Sequence, residues 1–188
     1  MRTFEFQNAL GDPHLCGAVL IDERVAISAA HCFWDPDGTG LTTSKEDVKV
    51  VAGAYHREDK DEIRNIKKFW KPFEGIWNPK NHPDVVILEL DHPFSLNHDI
   101  SPACLPSTET LNGALKSIGS NCYVSGWGQT GEFAEGSTYL KAAPVKLVDD
   151  RFCGPENPVE IPEEFFVCGS NSKGTGCKGD SGQTWAQA

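Results

Sequence analysis

The sequence predicts an all-β protein, a barrel or sandwich of short antiparallel strands. Three observations carry this. Short β-branched runs recur along the chain, clusters of Pro, Gly, Asn and Asp separate them, and no long helical period competes. The runs in order are 17–21, 24–29, 48–54, 85–90, 122–125, 143–148 and 165–168. Turn chemistry such as Asp35-Pro36-Asp37-Gly38 and Asn78-Pro79-Lys80-Asn81 lies between them. The run 85–90 reads VVILEL and is nearly all apolar, which predicts a strand covered on both faces or a buried barrel stave. The stretch 57–68 (REDKDEIRNIKK) mixes both signs of charge and reads as a solvated surface loop, ahead of a calcium-holding one. Residues 101–120 mix Pro, Ser, Thr, Asn and Gly without a strand of their own. They mark the boundary between two β units, 1–104 and 105–188.

Composition narrows the function. A chain of 188 residues, 39% hydrophobic and 23% charged, is an ordinary globular protein with a substantial core. Its formal charge of −10 argues against a nucleic-acid partner, because phosphate binding needs a basic face. Seven cysteines without any C-x-x-C spacing point to disulfides in an oxidising compartment, and the odd count leaves at least one thiol over. Residues 1–10 lack the apolar core of a signal peptide, and the most apolar stretches, 15–21 and 85–90, are too short to cross a membrane. Secreted chemistry thus stands without a secretion address, as in an excerpt of a longer chain.

Three segments carry chemistry. In Ile27-Ser28-Ala29-Ala30-His31-Cys32 a histidine ends a small-residue strand and is followed at once by a cysteine. A zinc site from His14, Cys16, His31 and Cys32 matches no standard ligand spacing and ranks well behind a disulfide to Cys16. In His82-Pro83-Asp84-Val85-Val86 an aspartate enters an apolar strand, where a carboxylate needs a partner. It reads either as a strand cap or as the group that orients an imidazole. In Cys177-Lys178-Gly179-Asp180-Ser181-Gly182 a serine between glycines can expose its hydroxyl on a tight turn with backbone N–H groups free for an oxyanion. Serine becomes a nucleophile only when a base takes its proton. The residues His31, Asp84 and Ser181 fill all three roles in the chain order His, Asp, Ser, which differs from the subtilisin and α/β-hydrolase orders.

At these residues the chain resembles the chymotrypsin/trypsin family of serine proteases. The resemblance runs from about Cys16 to Gly182 and rests on Cys16-Gly17-Ala18, Ala29-Ala30-His31-Cys32, Pro83-Asp84-Val85-Val86-Ile87-Leu88, Ser125-Gly126-Trp127-Gly128 and Gly179-Asp180-Ser181-Gly182. It implies two antiparallel six-stranded-type β-barrels, the second incomplete, with the active site in the cleft between them. His31 and Asp84 would come from the first barrel and Ser181 from the second. It further implies an oxyanion hole at the N–H groups of Gly179 and Ser181, and disulfides Cys16–Cys32 and Cys153–Cys168. Thr175 and Gly176 would form the floor of the specificity pocket. Asp180 would be the group linked to activation. The implied reaction is peptide hydrolysis through an acyl-enzyme, with no cofactor or metal. Polypeptide substrates and protein inhibitors are the implied partners of a secreted monomer.

The departures are specific. The family's amino-terminal Ile-Val-Gly-Gly is absent, and after Gly182 the chain reads Gln183-Thr184-Trp185-Ala186-Gln187-Ala188 where Gly-Pro-Leu-Val-Cys is expected. Cys104, Cys122 and Cys177 are thereby expected to lack partners. Asp180 should stay solvated or find a zymogen-like partner, and the chain as written is expected to be inactive.

Overall fold

A computed structural model describes residues 16–35, 41–59, 62–74, 77–78, 82–105, 107, 121–131, 135–148, 168–170, 180–182 and 186–187. Among them are nine strands and two single turns of tight helix, at Ala30–Cys32 and Lys45–Asp47. The strands are β1 (Ala18–Asp22), β2 (Val25–Ser28), β3 (Lys49–Ala52), β4 (Glu62–Trp70), β5 (Val86–Leu90), β6 (Asn121–Gly126), β7 (Lys141–Val148), β8 (Cys168–Ser170) and β9 (Ala186–Gln187). They form a five-stranded sheet in the order β1-β2-β5-β4-β3 and a four-stranded sheet in the order β8-β7-β6-β9. Every pairing is antiparallel.

The first sheet buries one face. Strand β5 sits between β2 and β4 and alternates cleanly, with Val86, Leu88 and Leu90 inaccessible and Ile87 and Glu89 half-buried. Its inward residues join Ala18, Leu20, Ala26 and Val50 and an aromatic group of Phe33, Trp34, Phe69, Phe73 and Trp77 in one core. Burial of a side chain such as Leu88 stabilises the fold by about 2 kcal/mol.

One sequence expectation is corrected. Most of the charged stretch 57–68 is not a loop: residues from Glu62 onward form β4, hydrogen-bonded to β3 and β5. Its apolar residues Ile63, Ile66 and Phe69 come every third position, which hides the two-residue period of a strand. Ile63 faces outward, while Glu62, Arg64 and Ile66 turn inward, and a register shift between Ile66 and Lys68 then brings Phe69 to the inner face. The inward Glu62 and Arg64 are mutually paired at 2.5 Å, and Arg64 Nε donates to Pro93 O at 2.9 Å. The guanidinium lies 4.7 Å from the centre of the Phe94 ring. Charge therefore lines the end of a strand without being left unsatisfied.

The two sheets meet at a small second core of Val51, Ala54 and Trp127, with Leu140 against it. The Trp127 indole N–H donates to Tyr55 O at 3.2 Å. Backbone bonds Arg57 N–H to Thr138 O (2.8 Å) and Leu140 N–H to Tyr55 O (2.9 Å) tie the seam. Of the region 101–120 read as a boundary, residues 106 and 108–120 lie outside the described residues.

Candidate active site

Topology brings His31 and Asp84 together. Ser28 at the end of β2 pairs with Val86 at the start of β5, so the chain leaving β2 and the chain entering β5 emerge at the same end of the sheet. His31 lies three residues beyond Ser28 and Asp84 two before Val86. The turn Ala30–Cys32 carries the imidazole out, and the small buried side chains of Ala29 and Ala30 let it pack close to the core. Cys32 is bridged to Cys16, with Cα atoms 6.3 Å apart, so the residue after His31 is covalently tied to the strand entry at β1.

Asp84 grips His31 at two points. Oδ1 accepts the His31 backbone N–H at 2.9 Å, and Oδ2 meets Nδ1 at 2.6 Å. Burial alone would raise the Asp84 carboxyl. The hydrogen bond and charge of the His31 ring, with the amides of His31 and Ala30, outweigh it and hold the group below its ordinary value. A carboxylate on Nδ1 fixes the tautomer that leaves Nε2 free to take a proton. The side chains are 37% and 44% exposed, so water screens their attraction.

Ser181 comes to the same neighbourhood through its backbone. Its carbonyl accepts the Gly17 N–H at 2.5 Å, and Gly17 is adjacent to the bridged Cys16. Gly182 has φ +80°, and a Cβ there would run into Gly17 O and Ser28 Oγ. The Ser28 hydroxyl, buried, donates to Gly17 O at 2.7 Å. Hydrogen bonds and a disulfide therefore connect Ser181, Gly17, Cys16, Cys32 and His31 in sequence. Among the described residues no hydrogen bond joins the His31 ring directly to Ser181, a contact that unliganded sites often leave long.

Asp180 is not left to solvent. Its Oδ1 accepts the Gly128 N–H at 2.9 Å, and it is half-buried. Its carboxylate fills the space that a Cβ at Gly126 or Gly128 would occupy. The motif Ser125-Gly126-Trp127-Gly128 is thus a cradle for this aspartate, a role not drawn from the sequence although the two glycines flanking a buried tryptophan were its signal.

The remaining site residues divide plainly. Gly179, Thr175, Gly176, Cys153, Cys177 and His14 lie outside the described residues. Cys168 is disulfide-bonded, while Cys104 is a free exposed thiol and Cys122 a free buried one, its thiol pushed up by burial. Ligand atoms of Cys16, His31 and Cys32 lie within 4.8 Å of one another, but both sulfurs belong to the disulfide and offer no thiolate to a metal.

Comparison with known proteins matches this architecture. The family model described as Trypsin covers residues 2–187. The bovine (Bos taurus) suppressor of tumorigenicity 14 protein homolog is 30% identical over 185 residues, which is 93% of this chain and 20% of that protein. Coagulation factor IX of Oryctolagus cuniculus is 32% identical over 173 residues, 89% of this chain and 58% of that one. Coagulation factor IX of Cavia porcellus is 34% identical over 175 residues, 89% of this chain and 56% of its own. The chain thus spans between a fifth and three-fifths of these relatives. Among the described residues no helix is long and apolar enough to cross a membrane. With its all-β fold, its His31–Asp84 pair and a family match over nearly its whole length, the chain belongs to the trypsin family of serine proteases.

Proposed function

We propose that the protein is a secreted serine endopeptidase in which Ser181 attacks the scissile carbonyl, His31 takes and returns the proton, and Asp84 orients His31. The observation that carries this is the two-point grip of Asp84 on His31, at 2.9 Å and 2.6 Å. It leaves the imidazole one orientation and one tautomer, as a general base requires. The N–H groups of Gly179 and Ser181 would receive the oxyanion, and Asp180, held by Gly128, would order that turn.

Thr175 and Gly176 carry no negative charge, so an Arg or Lys side chain in the pocket would be buried unpaired. Cleavage after neutral apolar residues follows, with polypeptide substrates, protein inhibitors as further partners, and a monomeric enzyme. The test is hydrolysis of a peptide library by the full-length protein. Ser181→Ala or His31→Ala should lose about 10⁴-fold or more in turnover. A cleavage profile dominated by Arg and Lys would refute the pocket assignment, and near-normal turnover in Ser181→Ala the catalytic one.

A further inference from the structure

The segment that delivers Asp84 is closed by a histidine that the chemistry above does not use. The His82 N–H donates to Asn78 O at 3.0 Å, and the Asn78 N–H donates back to His82 Nδ1 at 3.1 Å. A backbone N–H can only donate, so Nδ1 is the acceptor and is unprotonated in this arrangement. The imidazole stacks on Phe73, with centroids 5.0 Å apart and planes at 24°. Trp77, immediately before Asn78 and 2% exposed, donates its indole N–H to Pro83 O at 3.2 Å. Two closures thus converge on the residues directly ahead of Asp84. Phe73 also meets Trp34 edge-on at 6.1 Å, and Trp34 lies three residues after His31. One aromatic cluster braces both chain segments of the His31–Asp84 pair.

We infer that His82 is a positioning residue for hydrolysis: its imidazole accepts the Asn78 N–H, and the paired hydrogen bonds between the two residues set where Asp84 meets His31. The inference rests on the proteolytic reading of the site. A proton on Nδ1 turns the acceptor into a donor facing another donor, and the closure is lost.

The test compares His82→Phe with His82→Asn in the full-length protein. Phenylalanine keeps the stack and removes the acceptor. Asparagine places Oδ1 one bond beyond Cγ, where Nδ1 sits, and does not titrate. Two readouts are needed: kcat and KM at neutral pH, and the low-field proton resonance of His31 Nδ1–H, which needs no turnover. In His82→Phe, kcat should fall on the order of tenfold with KM little changed, as for a slightly misplaced catalytic group, and the resonance should move. His82→Asn should restore both. Unmoved resonance and unchanged kcat in His82→Phe would overturn the inference. So would equal impairment of the two variants at unchanged melting temperature. If His82→Phe does not fold, His82→Leu takes its place, and an unmoved resonance with unchanged kcat there counts against His82. Absence of hydrolysis in the unmutated protein would count against the protease reading, while the resonance still reports on His82.

Discussion

Gly182→Ala tests how the serine turn is held. Gly182 has φ +80°, a conformation that costs a residue with a Cβ about 1–2 kcal/mol. The added methyl would also meet the carbonyl oxygen of Gly17 and the hydroxyl of Ser28. Forcing one carbon into packed space costs about 1–3 kcal/mol. If the turn moves away to avoid the clash, the 2.5 Å bond from Gly17 N–H to Ser181 O goes with it, worth about 1 kcal/mol net. Whichever way the clash is resolved, the substitution should destabilise the protein by about 3 kcal/mol and displace Ser181. In a chain of this size each kcal/mol lowers the melting temperature by roughly 2–4 °C, so a fall of about 10 °C is expected. A fluorophosphonate probe should label Ser181 on the order of a hundredfold more slowly, the penalty of misplacing a reacting group by an ångström. Adding Ser28→Ala should not rescue either property, because the Gly17 carbonyl is backbone and cannot step aside. A Gly182→Ala protein that melts within about 2 °C of the parent and labels at the parent's rate would refute the reasoning.

Three further outcomes follow from the same contacts. Asp84→Asn keeps the shape but presents the wrong hydrogen to Nδ1, and turnover at neutral pH should drop by about 10⁴-fold; turnover within tenfold of the parent would show that Asp84 does not orient His31. Burial raises the Asp84 carboxyl, but its contacts with His31 and Ala30 lower it further, below the ordinary value of 3.8. Its charged form thus stabilises the fold above that value, and the contribution is lost as pH falls through the lower folded value. The gap in denaturation midpoint between the parent and Asp84→Asn should shrink on acidification, and a gap that widens would reverse the sign. Removing the Cys16–Cys32 bridge by paired alanine substitution should lower stability by about 3 kcal/mol, visible in guanidinium melts; a loss below about 1 kcal/mol would mean that the unfolded chain is little constrained by it.

The His31–Asp84 pair was legible because its residues are marked locally. His31 beside Cys32, and Asp84 at the mouth of an apolar strand, are recognisable in short windows, and β2–β5 pairing then joins them. Strand β4 was not legible, because an outward Ile63 and the register shift before Phe69 break the two-residue alternation, and its inward Glu62 and Arg64 read as surface charge. Their satisfaction depends on Pro93, Phe94 and Ser95, about thirty residues away, which no local window shows. The Asp180 cradle is hidden for the same reason: Gly126 and Gly128 look like turn glycines until the carboxylate that fills their missing side chains arrives from far along the chain. That the His82 imidazole would accept from Asn78 is not readable locally, because it comes with the stack on Phe73 and the Trp77 hydrogen bond to Pro83 O.

In the proposed mechanism Ser181 is a nucleophile activated by His31 and Asp84. The most direct measurement is covalent labelling of the full-length protein with a fluorophosphonate, followed by peptide mapping of the adduct. One adduct per chain on Ser181 is expected, absent in Ser181→Ala and strongly slowed in His31→Ala and Asp84→Asn. An adduct on another residue, or none in a folded and activated protein, would contradict the assignment.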